Sequence, residues 1–447
     1  MYLEVTKLKL CICVFCLLCS YSGGALSRTA GDSLYSLAED IGLSIGVHKA
    51  NTDYKHLKAD TLRSIFGHRN NDIDLSVLYL NDKHLFEGLI NYSNTDREIQ
   101  SLRIKIRDYK ELSRLKWPRL QSSQFSLGQK NKEIAKLRWM LVSLGDLKYK
   151  PLSAYREQVY DPIITAGIML FQERHGLSQS GDLTKESIEL LNVTPNEVVT
   201  KLQAAVKMKL SEFHQKKSIY IEVNISEYKL KVKGDEDFNF EIPVIVGRPA
   251  NKTPLLNTYI SNITVNPTWT PPHSIVYDEL LLGLKTDPQF LVAQRFVLIN
   301  RLDSKKVKSL KGMNTEQVRL SLKNFKLVQK PGYWNALGGY RFTIPNSESI
   351  FLHDTPNKKL FSKRNRALSH GCIRLAKPEL LANYLVSREN VDTKEKLEAA
   401  KQGSKTVNIT LNNPIPIIIT NQNIWVDKDN RLQLRSNVYK REVKGNG

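Results

Sequence analysis

The hydrophobic period of this 447-residue chain changes partway along its length, and that change limits what it can fold into. Within residues 97–115, Ile99, Leu102, Ile106 and Leu112 recur near a 3.6-residue period, and from Lys132 onward Ile134, Leu137, Leu141 and Leu144 fall on one helical face. From Ser218 the period is two. Ile219, Ile221 and Val223 alternate with polar positions, and Tyr228, Leu230 and Val232 alternate with Lys229, Lys231 and Lys233. A helical part therefore precedes a mostly β part, and at roughly 150 residues per domain the length suggests about three folded units.

The helical part divides further. Residues 26–127 read as a helical scaffold region, its first few dozen residues equally compatible with a spacer. A helix beginning at Lys132 ends where Gly145 suits a left-handed cap; a second, from about Asp161 to His175, carries Ile164, Ile168 and Phe171 and stops at Gly176; a short third starts near Thr184 with Ile188 and Leu191. In the β part, strands are expected at 238–247, 407–411 and 415–420, and in a pair around Asp427-Lys428-Asp429-Asn430. That turn has a superficial likeness to a calcium loop, but Leu432 and Val438 stand where Gly and Glu belong, so a hairpin turn is expected. Residues 275–330, rich in Leu, Lys and Gln, read as an insertion of short helices joined by loops, either a lid or a structural elaboration.

At the N-terminus, Lys7 and Lys9 precede an apolar run from Leu10 to Cys19, followed by Ser20, Ser22, Gly23, Gly24 and Ala25. Residues 1–25 read as a secretory signal peptide, since the run is shorter than the roughly 20 apolar residues a span needs. Leu17 and Leu18 before Cys19 argue against a lipid anchor, and no stable membrane span is expected after cleavage. Lys and Arg number 66 against 45 Asp and Glu, a net charge of +21 that falls only to +20 on removal of Glu4, Lys7 and Lys9. For an exported chain so basic, the expected partner is membrane lipid or a carboxylate-rich wall polymer, and not nucleic acid. The hydrophobic fraction of 41% excludes wholesale disorder.

Cysteine usage is the most informative count. Four of five cysteines, Cys11, Cys13, Cys16 and Cys19, lie in the signal segment, which leaves Cys372 alone in the exported chain and rules out an intramolecular disulfide there. A lone thiol is either a buried filler or kept for its reactivity. Its surroundings favour reactivity. The segment FLHDTPNKKLFSKRNRALSHGCIRL, residues 351–375, places Cys372 after Ser369, His370 and Gly371, with His353 19 positions upstream and Lys358, Lys359, Lys363, Arg364 and Arg366 between. A thiol becomes a good nucleophile as thiolate, which needs a base or positive charge nearby. Gly371 permits close backbone approach, and amides around Gly371 and Cys372 suit a developing oxyanion. Zinc held by His353, His370 and Cys372 is the other chemical reading; no fourth ligand is evident, so no metal and no cofactor is expected.

Two resemblances follow from these residues. Phe171-Gln172-Glu173-Arg174-His175-Gly176-Leu177, then Gly181-Asp182-Leu183 and Leu191-Asn192, resembles the type 1 peptidoglycan-binding module, a three-helix wall binder here bounded at 128–195. His353, the spacer, Ser369-His370-Gly371-Cys372 and Arg374 resemble the active-site signature of the L,D-transpeptidases with a YkuD-type catalytic domain, here 216–442. Val246-Gly247, Asn266-Pro267-Thr268-Trp269, Pro331-Gly332 and Asn335-Ala336-Leu337-Gly338 support the match.

The likeness extends to a large periplasmic subgroup with a helical scaffold and a capping insertion, here 275–330. It implies a multidomain α+β chain, with a mostly β catalytic domain and a helical insertion. It further implies a periplasmic enzyme that acts on peptidoglycan stem peptides. Cys372 would attack the third stem residue of a tetrapeptide donor, release D-alanine and pass the acyl group to a second stem as a 3→3 cross-link. His353 would be the general base, His370, Gly371 and Ser369 would shape the site, and Arg374 would hold a substrate carboxylate. Trp334 and Tyr340 are candidates for lining the cleft, but for aromatics beside a strand the core reading is preferred. Rival readings are a same-fold cysteine peptidase or D-amino-acid exchange enzyme, a non-catalytic wall-binding scaffold, and a basic protein that binds by charge alone.

Overall fold

Apolar stripes read from the sequence become buried faces. The computed structural model describes residues 30–43, 54–66, 76, 80–121, 125–148, 157–211, 213, 219–235, 238 and 240–439, so the signal-peptide reading of 1–25 falls outside the described residues. The described residues divide into two units, one drawn from Met1–Asp161, Leu183–Gln215 and Val426–Asn430, the other from Pro162–Asp182, Lys216–Trp425 and Arg431–Gly447.

The first unit holds helices α1 (Ala30–Asp40), α2 (Tyr54–Phe66), α3 (Lys83–Thr95), α4 (Arg97–Ser113) and α5 (Lys132–Leu144); α6 (Pro162–His175) belongs to the second unit, and α7 (Lys185–Leu191) and α8 (Pro195–Ser211) return to the first. Helix α4 starts where the Asp96 side chain accepts from the Ile99 N–H at 3.0 Å, and it buries Ile99, Leu102, Ile106 and Leu112 as their spacing predicts. Arg103 on the same face is only 1% exposed. Its guanidinium meets Asp40 Oδ2 at 2.6 Å, Asn94 Oδ1 at 2.9 Å and Ser36 Oγ at 2.8 Å, which satisfies a charge that would otherwise be costly to bury.

In the second unit α6 buries Ile164, Ile168 and Phe171. The Leu432 carbonyl accepts from Arg174 at 3.1 Å and the Leu434 carbonyl from His175 Nδ1–H at 2.9 Å, tying the C-terminal segment to this helix. The β part is built on strands β1 (Tyr220–Asn224), β2 (Lys229–Lys233), β3 (Glu241–Gly247), β4 (Leu256–Val265), β8 (Tyr340–Thr343), β9 (Phe351–His353), β10 (Ala367–Ser369), β11 (Ile373–Leu375) and β12 (Val407–Thr420). Their order is β10-β3-β11-β9-β8-β4-β12-β1-β2, and an additional pairing of β2 with β3 closes the sheet on itself. Closure removes the open edges on which a sheet this large would otherwise recruit foreign strands. Inward residues such as Val223, Val244, Ile263, Phe342, Leu352 and Ile417 form one core with Leu381 and Leu385 of α12 (Pro378–Ser387).

Two expectations are corrected. The separate strands 407–411 and 415–420 are one strand, β12, whose register against β4 shifts between Thr410 and Ile415. The backbone freed by that bulge is satisfied by the Glu389 carboxylate, which accepts from the Asn412 and Asn413 N–H groups at 3.1 and 2.8 Å. The insertion is not a set of helices alone. After a helical run (His273–Ile275, a π turn Val276–Leu280, then α9, Leu281–Thr286) and α10 (Phe290–Ala293) it forms a three-stranded antiparallel sheet, β6-β5-β7, from β5 (Phe296–Asn300), β6 (Val307–Lys308) and β7 (Phe325–Gln329), with α11 (Thr315–Ser321) between β6 and β7. Its own core includes Val276, Leu280, Leu284, Leu291, Leu298, Val318 and Leu327. Short strands of alternating Val, Leu and Phe were hidden among the Leu, Lys and Gln that suggested helix.

The expected hairpin turn is present, with the Asn430 N–H donating to the Asp427 carbonyl at 3.0 Å between β13 (Ile424–Val426) and β14 (Leu432–Leu434). Among the described residues no helix is long and apolar enough to cross a membrane. Phe342 is fully buried at the centre of the catalytic sheet. Replacing it with Ala is expected to lower the unfolding free energy by about 3–5 kcal/mol, read as a lower urea midpoint.

Candidate active site

Three short strands set the geometry. Arg341 of β8 is paired with His353 of β9, and His353 with Arg374 of β11, so the three side chains form a row across one face of the sheet. Phe342, Leu352 and Ile373, one residue earlier or later, turn to the opposite face and enter the core. Cys372 immediately precedes β11 and is partly buried, its Sγ 4.0 Å from the Ser349 carbonyl.

His353 is 5% exposed. Its Nδ1 lies against the carbonyl oxygen of Asp354, which can only accept, so Nδ1 carries the proton and Nε2 keeps its lone pair. Burial, with Arg374 and Arg341 on either side, lowers its pKa to about 3. The ring is therefore a neutral base of defined tautomer. Burial also raises the Cys372 thiol above its ordinary value, opposed by the Phe351 backbone amide and by the charges of Arg341 and Arg374. Both shifts favour the neutral form of their group, while the two guanidinium charges favour negative charge on sulfur.

Asp354 explains why His353 is so well held. Its carboxylate accepts from the Gly339 N–H at 2.8 Å and the Thr355 N–H at 2.7 Å, and pairs with Lys358. The Asn335-Ala336-Leu337-Gly338 string supplies this cradle. Gly338 sits at φ 59°, and a Cβ there would lie 2.3 Å from Asp354 Oδ2, so only glycine lets the loop wrap the carboxylate. The Asn335 side chain is fully buried, donating to the Pro267 carbonyl at 3.0 Å and the Lys330 carbonyl at 2.9 Å and accepting from the Leu337 N–H at 2.8 Å. Asn266 donates its N–H to the Gly339 carbonyl at 2.8 Å, while Trp269 and Gln329 exchange backbone hydrogen bonds at the root of the insertion. The supporting motifs are thus the frame of the histidine.

The turn that carries Cys372 is locked from within. Ser369 Oγ donates to the Cys372 carbonyl at 2.6 Å and accepts from the Gly371 N–H at 3.1 Å. Gly371 adopts φ 117°, and its carbonyl accepts from Thr253 Oγ at 2.7 Å. Thr253 Oγ in turn accepts from the Gly247 N–H at 2.9 Å, which accounts for the Val246-Gly247 motif. The Gly371 amide, one of the two expected at a developing oxyanion, is engaged by Ser369. His370 points to the insertion, with Nε2 2.7 Å from Glu279 Oε1.

Other expected residues take different places. Tyr340 packs on the core face of β8, stacked against Phe342, opposite to the Arg341–His353–Arg374 row. It is a core residue here because strand alternation turns it away. Trp334 stacks edge-on with Tyr333 and lies 5.3 Å from the Arg295 guanidinium, with its ring over the Gly332 backbone. Of the spacer's basic residues, Lys358 pairs with Asp354 and Arg366 donates to the Val244 and Tyr228 carbonyls, both at 3.0 Å. The cations that act on the thiol are instead Arg341 and Arg374. Sequence reasoning missed Arg341, Thr253, Asp354 and Glu279. For Arg341, alternation along β8 carried a signal; for Glu279 there was none. Among the described residues no group of three or more His, Cys, Asp or Glu side chains is gathered as a metal site.

Cys372 leads into β11 and His353 lies on the neighbouring strand β9, with Arg341 and Arg374 on either side of the histidine in register. Residues 218–407 match the family model of the L,D-transpeptidase catalytic domain, YkuD. A provisionally named L,D-transpeptidase of Haemophilus influenzae is 32% identical over 212 residues, 47% of this chain and 42% of that protein, so the chain spans less than half the length of this curated relative. A solved structure of Mycobacterium tuberculosis L,D-transpeptidase 1 aligns at 13% identity over 45% of this chain and 61% of the other, with a TM-score of 0.18.

Two measurements probe the site's charge state. Alkylation of Cys372 by iodoacetamide is expected to climb continuously through pH 7 to 9, since the thiol is raised and His353 stays neutral throughout. A rate already at its plateau at pH 7 would instead reveal a thiolate–imidazolium pair. His353 and the buried His175, also held well below its usual range, must both gain a proton on unfolding in mild acid. Their folded values lie below the unfolded one, so stability is full above about pH 6.5 and declines as pH falls toward 3, measured as falling melting temperature.

Proposed function

We propose that the protein is a periplasmic L,D-transpeptidase that forms 3→3 peptidoglycan cross-links through a thioester on Cys372. The neutral, tautomer-fixed His353, on the strand beside Cys372 and flanked by Arg341 and Arg374, carries this reading. In the first step Sγ attacks the carbonyl of the third stem residue, a diamino acid, while His353 Nε2 takes the thiol proton. With the Gly371 amide engaged, the Cys372 N–H is the donor assigned to the developing oxyanion. The intermediate collapses as the bond to the terminal residue breaks; His353 returns the proton to the leaving amine, and D-alanine departs. A side-chain amine of a second stem then attacks the thioester, His353 accepts its proton, and the sulfur is released and reprotonated.

The remaining parts fit the same substrate. Arg374, with two buried strands beside it and its charge on the site, is suited to a substrate carboxylate. Residues 128–195 are proposed as the peptidoglycan-binding module, and the signal-like N-terminus accounts for export. The basic surface would attract the carboxylates of uncross-linked stems.

Intact-protein mass spectrometry with a disaccharide-tetrapeptide tests this. Wild-type protein is expected to gain the mass of the donor minus alanine and to yield cross-linked dimers, and Cys372→Ala to gain nothing. An adduct that resolves only to tripeptide would mark a hydrolase, and absence of any adduct would favour a wall-binding scaffold.

A further inference from the structure

One contact joins the insertion to the catalytic turn without a part in the steps above. Glu279 stands in the π turn Val276–Leu280, where the Leu281 N–H reaches back to the Val276 carbonyl. The wider turn lets Val276, Leu280 and Leu281 all enter the insertion's core while Glu279 projects outward. There its carboxylate lies 2.7 Å from His370 Nε2, and its charge also acts on Arg374. The catalytic turn is therefore held from two sides. Ser369 and Thr253 secure its backbone from the sheet, and Glu279 secures the imidazole from the insertion.

We propose that Glu279 is a positioning residue for the acyl-transfer reaction: by accepting from His370 Nε2–H it fixes the ring and seats the Ser369–Cys372 turn, so that the docked insertion is part of the competent site. The inference rests on the transpeptidase reading. It gives the insertion a function that the sequence left open between lid and elaboration. A carboxylate is suited to the task because it can accept from the ring whether His370 is neutral or charged, whereas a longer or apolar side chain would leave the imidazole free to rotate. Thr253 and Glu279 then act as opposed anchors on one short turn, and loss of either would loosen the thiol relative to the base without removing any reacting group.

The side chain is about half exposed, so removing it should leave folding intact. Glu279→Ala, Glu279→Gln and Glu279→Lys would be compared with wild type in the full exported chain. The readout is single-turnover acylation by the tetrapeptide, with the maximal rate and the half-saturating concentration separated and the melting temperature recorded. Glu279→Ala is expected to slow the maximal rate about tenfold, the loss of one charge-assisted hydrogen bond, with half-saturation changed by less than about twofold. Glu279→Gln, whose amide oxygen still accepts from Nε2–H, should recover most of that rate, and Glu279→Lys should be slowest. A wild-type rate in Glu279→Ala, or equal slowing in the Ala and Gln variants, would overturn the positioning role while leaving the enzyme reading intact. No adduct on wild type would overturn the reading itself.

Discussion

Lateral register among β8, β9 and β11 is the constraint on which the rest of the site depends. Pairing of Arg341 with His353 and of His353 with Arg374 sets three polar side chains on one face, and the neighbouring apolar residues on the other. A slip of one residue in β9 would send His353 into the core and Leu352 toward the thiol, so burial of Leu352, Phe342 and Ile373 enforces the alignment that catalysis requires. The energy that holds the fold therefore also holds the reacting groups. Because the sheet is closed, neither β9 nor β11 has a free edge along which to slide.

Within that frame, desolvation and charge oppose each other on the Cys372 thiol and reinforce each other on the His353 imidazole. Burial disfavours both the thiolate and the imidazolium, while Arg341 and Arg374 favour the first and disfavour the second. The balance favours the neutral form of each group.

Much of the surrounding structure keeps His353 and Cys372 in place without touching a substrate. The Asp354 carboxylate and the loop around Asn335 and Gly338 form one hydrogen-bonded frame beside His353, and Thr253 with Ser369 forms another at Gly371. The insertion is joined to the same frame at its root by Trp269 and Gln329 and at its face by Glu279. Its separate core allows it to be a body of its own while two points of attachment set where it stands.

Local rules made part of this legible in advance. The 3.6-residue stripes of α4, α5 and α6, the two-residue alternation of β1 and β2, and the caps at Asp96 and Gly145 are properties of short segments, and the Cys372–His353 signature is a property of one stretch of chain. The strands of the insertion escaped because five-residue strands with lysines between apolar positions carry too little periodic signal to outweigh a helix-prone composition. Tyr340, Arg341, Thr253 and Glu279 could be assigned only by the tertiary structure. Which face a strand residue occupies, and which distant carboxylate or hydroxyl meets a loop, depends on register and on contacts across many tens of residues. The sequence by itself determined which groups could react. Long-range pairing decided which of them meet, because a hydrogen bond or a charge acts over a few ångströms and chain order does not encode that distance.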